Sequence, residues 1–336
     1  MRQVWIPRTG APEVLEIREA PEPSPGPGQV RVRVEAAGVN FADLMARQGL
    51  YPDAPPLPAV VGYEVAGVID ALGEGVDSDW LDVPVVCVTR FGGYSEAVIV
   101  DLVQVARRGD LDAVAAASIP VVGLTAWMLL MEMGRVRQGD RVLVHSAGGG
   151  VGLMALELLR WKGATAIGTA SAGKHAFLRE RGYDQLIDYR SEDFHAVLSS
   201  GEPLDLVLDP VGGDSWRKGL DLLRPGGQLL CFGMSAVSSG NTRSVLSAIR
   251  AFLSVPWMRI NPITLMNENR GVSGVNLGHM FEERARLAGW LGELMVLVEQ
   301  GVVRPHVHAT VPFAEASEAH RMIHDRENLG KVVLVP

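Results

Sequence analysis

From Arg141 onward six short apolar segments recur: RVLVHSA (from Arg141), TAIGTA (Thr165), QLIDYR (Gln185), LDLVLDPV (Leu204), QLLCFGM (Gln228) and GVSGVNL (Gly271). The first five are separated by stretches of helical length, among them LMALELLRWKG and KHAFLRERG. Apolar strands alternating with helices are covered on both faces and assemble as a parallel sheet. Six in this order predict an α/β, doubly wound, six-stranded parallel Rossmann sheet.

The turn after the first strand adds chemistry. It reads Ala147-x-Gly149-x-x-Gly152, with Gly150 and Val151 in between. A dinucleotide turn needs a tight bend, then backbone close to the pyrophosphate, then a small residue where helix meets strand. The helix N-terminus then faces the anion. Alone, such a pattern also fits a plain strand-to-helix connection. The strand before it, the apolar helix after it and the length of the βαβ unit favour a phosphate cradle.

The end of the next strand discriminates between dinucleotides. An NAD site places Asp or Glu there, on the adenosine ribose. GTASAGKH (Gly168 to His175) has no acid, whereas Ser171 and Lys174 suit a 2′-phosphate. Lys174 by itself also reads as an ordinary lysine at a helix start. The missing acid agrees with it, and the expected cofactor is NADPH.

Up to about Pro120 the texture differs. VRVRVEAAGV alternates, VVGYEVAGVIDALG is apolar with glycines, and GGYSEAVIV is a further strand signal, with Gly and Pro turns between them. This predicts an irregular, mostly antiparallel β domain over residues 1–121. A helix, ARLAGWLGELMVLVEQG, and a last strand, GKVVLVP, complete it from the tail, residues 279–336. Residues 122–278 form the expected nucleotide domain. The interval between the fifth and sixth strands is unusually long. It contains a predicted helix, Ser244 to Leu253, and Phe252, Trp257, Met258 and Leu265, which fit a roof over a bulky apolar substrate, a dimer contact or core packing, or a peripheral membrane patch.

A formal charge of −8 (31 basic against 39 acidic residues) disfavours nucleic acid and anionic membrane as partners. Two cysteines, Cys87 and Cys231, form no C-x-x-C pair, so no cysteine-rich zinc site or disulfide framework is available. The N-terminal residues lack a signal-peptide core, and no apolar run reaches about 18 residues, so the expectation is a cytoplasmic protein without integral membrane association.

With GVNFAD (Gly38 to Asp43) and GYEVAG (Gly62 to Gly67), these features resemble the medium-chain dehydrogenase/reductase superfamily, in its zinc-free quinone oxidoreductase branch. GTASAGKH, DPVGGDSWRKGLDLLRPGG, RPHVHATVPF and ENLGKVVLVP are most similar to the vesicle amine transport protein homologues of that branch. The resemblance spans essentially the whole chain and identifies the β domain as GroES-like. Zinc-dependent members place ligands where this chain has Asn40, Tyr63 and a residue around Val121. An amide, a phenol and an alkyl group do not make a three-ligand catalytic zinc site. The His306-x-His308 pair lacks a third ligand nearby, and no metal is expected.

The resemblance implies an NADPH-dependent enzyme that holds the nicotinamide between its domains. It transfers hydride to a quinone or an α,β-unsaturated carbonyl, a small apolar substrate, and is a homodimer. Candidates to bond the substrate oxygen are Asn40 and Tyr51. Asn40 also precedes FADLMARQG, where it and Asp43 fit a helix cap, and Tyr51 beside Pro52 also fits a turn. By position, Thr125 lies near the nicotinamide, Ala147, Gly149, Gly150, Val151 and Gly152 at the pyrophosphate, and Ser171, Lys174 and Tyr189 at the 2′-phosphate. Gly233 follows the fifth strand, and Asn328 meets the cofactor's phosphates or ribose. Enoyl-thioester reduction and a non-enzymatic NADPH-binding adaptor remain open as alternatives.

Overall fold

The computed structural model describes residues 1–235 and 260–336. The helix expected at 244–253 and the roof residues Phe252, Trp257 and Met258 lie outside the described residues. Leu265 is partly buried on the short helix Pro262–Glu268.

In chain order the strands are β1 (Arg2–Trp5), β2 (Glu16–Glu19), β3 (Gln29–Val39), β4 (Glu64–Leu72), β5 (Pro84–Val88), β6 (Ala97–Asp101), β7 (Val105–Arg107), β8 (Arg141–Val144), β9 (Thr165–Ala170), β10 (Gln185–Asp188), β11 (Leu204–Asp209), β12 (Leu223–Cys231), β13 (Gly271–Gly274), β14 (Val307–Pro312) and β15 (Lys331–Val335). The chain divides into two compact units. The first combines Met1–Leu124 with Leu277–Pro336, and the second is Thr125–Asn276.

In the first unit the main sheet runs β14-β15-β3-β4-β5-β7, with β6 also paired to β3. Its pairings are antiparallel except for β14 with β15. The alternation of VRVRV sends Val30, Val32 and Val34 into the core, while Arg31 and Arg33 face outward. Each such buried valine contributes about 1.5–3 kcal/mol. From Ala36 to Val39 the alternation stops and every residue is buried. The strand thereby carries Asn40, at its end, into the interior.

The second unit is the doubly wound sheet, with order β10-β9-β8-β11-β12-β13 and every pairing parallel. All six strands coincide with the apolar segments of the sequence. The order reverses between β8 and β11, and in such sheets ligands bind beyond the carboxyl ends of the strands at that reversal.

Candidate active site

In the second unit the glycine turn connects β8 to the helix Gly150–Lys162 at this reversal point. Gly149 is the N-cap and brings no capping side chain, and among the described residues no side chain accepts from the first-turn N–H groups. Gly152 is buried against the turn, and a Cβ there would lie 2.6 Å from both the Ser146 and Ala147 carbonyl oxygens. The buried Tyr183 hydroxyl donates to the Gly152 carbonyl at 2.8 Å and fixes the helix from behind. A close-packed, uncapped helix start of this kind fits a pyrophosphate.

β9 and β10 end side by side, with Ala170 opposite Asp188. Ser171 and Tyr189 therefore leave the sheet at neighbouring points. Ser171 precedes the turn Ala172–Lys174, which places a partly buried Lys174 on the same rim, and Tyr189 is exposed. The Arg190 guanidinium lies 5.9 Å from the Tyr189 ring centre. Arg190 adds a cation that the motif-based reading passed over. Its signal was the R of IDYR, at the end of the strand adjoining GTASAGKH. Gly233 follows β12, with Pro210 O 3.0 Å from where its Cβ would sit, and Thr125, buried, opens the unit.

In the first unit the sequence motifs converge on a buried polar cluster. The Asn40 backbone N–H donates to Asp43 at 2.8 Å, so Asp43 caps the helix Phe41–Gln48. The Asn40 amide is engaged elsewhere. Its Nδ2 donates to Glu64 at 2.7 Å, and its Oδ1 accepts from Lys331 Nζ at 2.8 Å. Lys331 also donates to Glu64 at 2.6 Å and to the Val39 carbonyl at 2.8 Å. The Val121 N–H donates to the second Glu64 oxygen at 2.7 Å. Lys331, which begins the apolar strand KVVLV, was not singled out from the sequence. A lysine opening an all-apolar strand was the available signal.

This donor set does not fit a zinc ion. Glu64 is neutralised by an ammonium, the amide oxygen of Asn40 already accepts from that same ammonium, and the remaining groups are the Tyr63 phenol and a backbone N–H already donating. Among the described residues no three His, Cys, Asp or Glu side chains gather as a metal would require. His306 is partly buried and His308 is exposed on β14.

A second buried chain meets Asp43 from the other side. Arg47 Nε donates to His320 Nδ1 at 3.3 Å. That fixes the tautomer, so His320 Nε2–H donates to the Tyr94 hydroxyl at 3.4 Å, and Tyr94 donates to Asp43 at 2.9 Å. The Gly62 N–H donates to the other Asp43 oxygen. Burial pushes Asp43 up to about 6. Burial, and then the Arg47 charge, push His320 down to about 3. A base depressed on folding costs stability as pH falls from the ordinary histidine value of 6.5 to about 3, because the unfolded chain takes the proton first. Glutamine offers the same acceptor and donor without titrating. The stability of His320→Gln relative to wild type is therefore expected to improve by about 1.4 kcal/mol per pH unit on acidification through that window. Urea midpoints at several pH values check this; a difference independent of pH would contradict a neutral, desolvated His320.

Tyr51 is partly buried beside Tyr63, with ring centres 6.3 Å apart and an interplanar angle of 89°. Asn328, between the last helix and β15, donates to the Gly330 carbonyl at 2.7 Å.

The fold and these clusters define a two-unit architecture: a doubly wound sheet with a glycine-lined helix start, and a mostly antiparallel β unit with a buried ion-paired centre. Residues 26–110 match the alcohol dehydrogenase GroES-like domain, and residues 181–334 match the zinc-binding dehydrogenase domain. The chain belongs to the medium-chain dehydrogenase/reductase superfamily. It is 38% identical over 305 residues to the human synaptic vesicle membrane protein VAT-1 homolog, covering 90% of this chain and 77% of that protein. It is 34% identical over 334 residues to a quinone oxidoreductase of Pseudomonas aeruginosa, covering 97% of each. The crystal structure of Escherichia coli quinone oxidoreductase complexed with NADPH superposes with a TM-score of 0.86 at 29% identity, covering 100% of both chains. No helix among the described residues is long and apolar enough to cross a membrane.

Proposed function

We propose that this chain is an NADPH-dependent oxidoreductase that works without zinc and reduces a quinone or an α,β-unsaturated carbonyl. The observation that carries the reading is the Ala147–Gly152 turn: an uncapped helix N-terminus at the sheet's reversal point, packed too closely for any side chain at Gly152. Kinship supports it, since relatives include a quinone oxidoreductase and a 2-haloacrylate reductase, and one structural neighbour was crystallised with NADPH.

NADPH, when bound, supplies the hydride. The chain's residues bind and orient. Gly149 to Gly152 present backbone N–H groups to the pyrophosphate, and Ser171, Lys174 and Tyr189, with Arg190, address the 2′-phosphate. Thr125, Gly233 and Asn328 complete the cofactor contacts. Tyr51 donates its hydroxyl proton to the substrate oxygen as negative charge develops there. Asn40 holds Glu64 and Lys331 in register. Their mutual neutralisation leaves Glu64 without the free charge that would recruit a metal.

NADPH consumption should be measured anaerobically, with a zinc chelator present. The panel is a quinone, short and long enals, a cyclic enone and a crotonyl thioester. Turnover of the quinone or an enone is expected. Tight NADPH binding with no turnover would favour a binding adaptor, and thioester turnover alone an enoyl reductase.

The cofactor preference has its own check. Lys174→Ala removes one charge-assisted contact, each worth about 1.5–3 kcal/mol. It should weaken NADPH by about tenfold or more while leaving NADH nearly unchanged. Equal weakening of both in a titration would remove Lys174 from the 2′-phosphate site.

A further inference from the structure

Tyr63 enters β4 directly before Glu64, at the position where zinc-dependent members of the superfamily carry a ligand. Its side chain is 5% exposed, and its hydroxyl completes no hydrogen bond among the described residues. A buried hydroxyl without a partner destabilises the fold, and phenylalanine would fill the same volume without that cost. The ring is held by Phe91 at 5.2 Å, Phe281 at 6.2 Å and Tyr51, edge-on, at 6.3 Å between centres. Of these three rings only Tyr51 brings a polar atom.

We propose that Tyr63 is a positioning residue whose hydroxyl closes onto the Tyr51 oxygen as Tyr51 gives its proton to the substrate. The inference rests on the reading of Tyr51 as proton donor. Hydride arriving at the β-carbon of an enone sends an electron pair to the carbonyl oxygen, which takes the proton of Tyr51. The Tyr51 phenolate then accepts a hydrogen bond from Tyr63, which keeps its own proton, and water reprotonates Tyr51. The electrostatics run in the same direction. Burial pushes the Tyr51 phenol up, and the neighbouring Tyr63 hydroxyl acts in the opposite direction. Burial first, and then Tyr51, push Tyr63 well above the ordinary tyrosine range. Of two adjacent phenols, Tyr63 is the one that stays protonated.

The test is a cycle of Tyr51→Phe, Tyr63→Phe and the double variant, read by kcat, NADPH affinity, thermal midpoint and phenolate absorbance against pH. Tyr63→Phe is expected to lower kcat by about tenfold with NADPH affinity unchanged and a thermal midpoint no lower than wild type. A purely structural role predicts a lower midpoint. In the Tyr51→Phe background the same change should cost nothing more. The absorbance component that Tyr51→Phe deletes should move to higher pH in Tyr63→Phe. Multiplicative losses, or a Tyr51 component that stays in place, would overturn the pairing. If Tyr51→Phe leaves kcat intact, the reading of Tyr51 falls, and the pairing's role in turnover falls with it. Should no substrate turn over at all, the proposed activity fails while the absorbance shift still decides the pair.

Discussion

Lys331→Met should destabilise the β unit by about 3–5 kcal/mol, the usual loss when one partner of a buried ion pair is removed. For a unit of this size that lowers the thermal midpoint by on the order of 10 °C. Methionine preserves length and apolar packing, so the loss isolates the charge. Glu64, fully buried, would keep the Asn40 amide and the Val121 N–H as its partners among the described residues. Adding Glu64→Gln removes the stranded charge and should restore most of the loss, a strongly non-additive pair. Thermal unfolding of the three variants checks this. A single-variant loss below about 1 kcal/mol would show that the pair is not desolvated and that Glu64 is open to another cation.

The same residues mark where sequence reasoning stops. The parallel sheet was legible because each strand from RVLV to GVSG is a local apolar run between turn or helix signals, and burial on both faces demands that pattern. The first unit was legible as antiparallel from the VRVRV alternation. The centre of that unit was not. Lys331 meets Glu64 across 267 residues of chain, through the pairing of β15 with β3 that sets Val332 opposite Val39. No local periodicity encodes a contact of that span. Arg47, His320 and Tyr94 were invisible for the same reason: each looks like an ordinary helix or loop residue until the helices Phe41–Gln48 and Ala316–His324 are placed. Asn40 shows the intermediate case. Its motif located the helix start, and Asp43 does cap it, but the direction of the amide depended on two residues from distant segments.

Gly152→Ala tests the part of the reading that is most local. One methyl group is added at the start of a well-formed helix, where alanine is intrinsically favoured over glycine by about 1 kcal/mol. The surroundings reverse that preference. The new Cβ would sit 2.6 Å from two carbonyl oxygens, and both belong to backbone, so no side chain can rotate away. Either the turn Ser146–Ala147 or the helix must retreat by several tenths of an ångström, and overpacking of this kind costs about 1–3 kcal/mol. The N–H groups proposed to hold the pyrophosphate lie on that displaced backbone. A shift near 1 Å in a positioned group can cost about a hundredfold in rate, so a displacement of several tenths of an ångström is expected to lower NADPH affinity by about tenfold. Gly149→Ala is the control. A Cβ there meets only Ser146 O, at 3.3 Å, and its backbone angles are ordinary for any residue. It should fold normally and bind NADPH within a few fold of wild type. If the two variants bind equally well, the glycines serve only the bend of the chain and the phosphate cradle is elsewhere. If Gly152→Ala alone loses the cofactor while retaining its fold by circular dichroism, the close approach of helix and strand is what shapes the site.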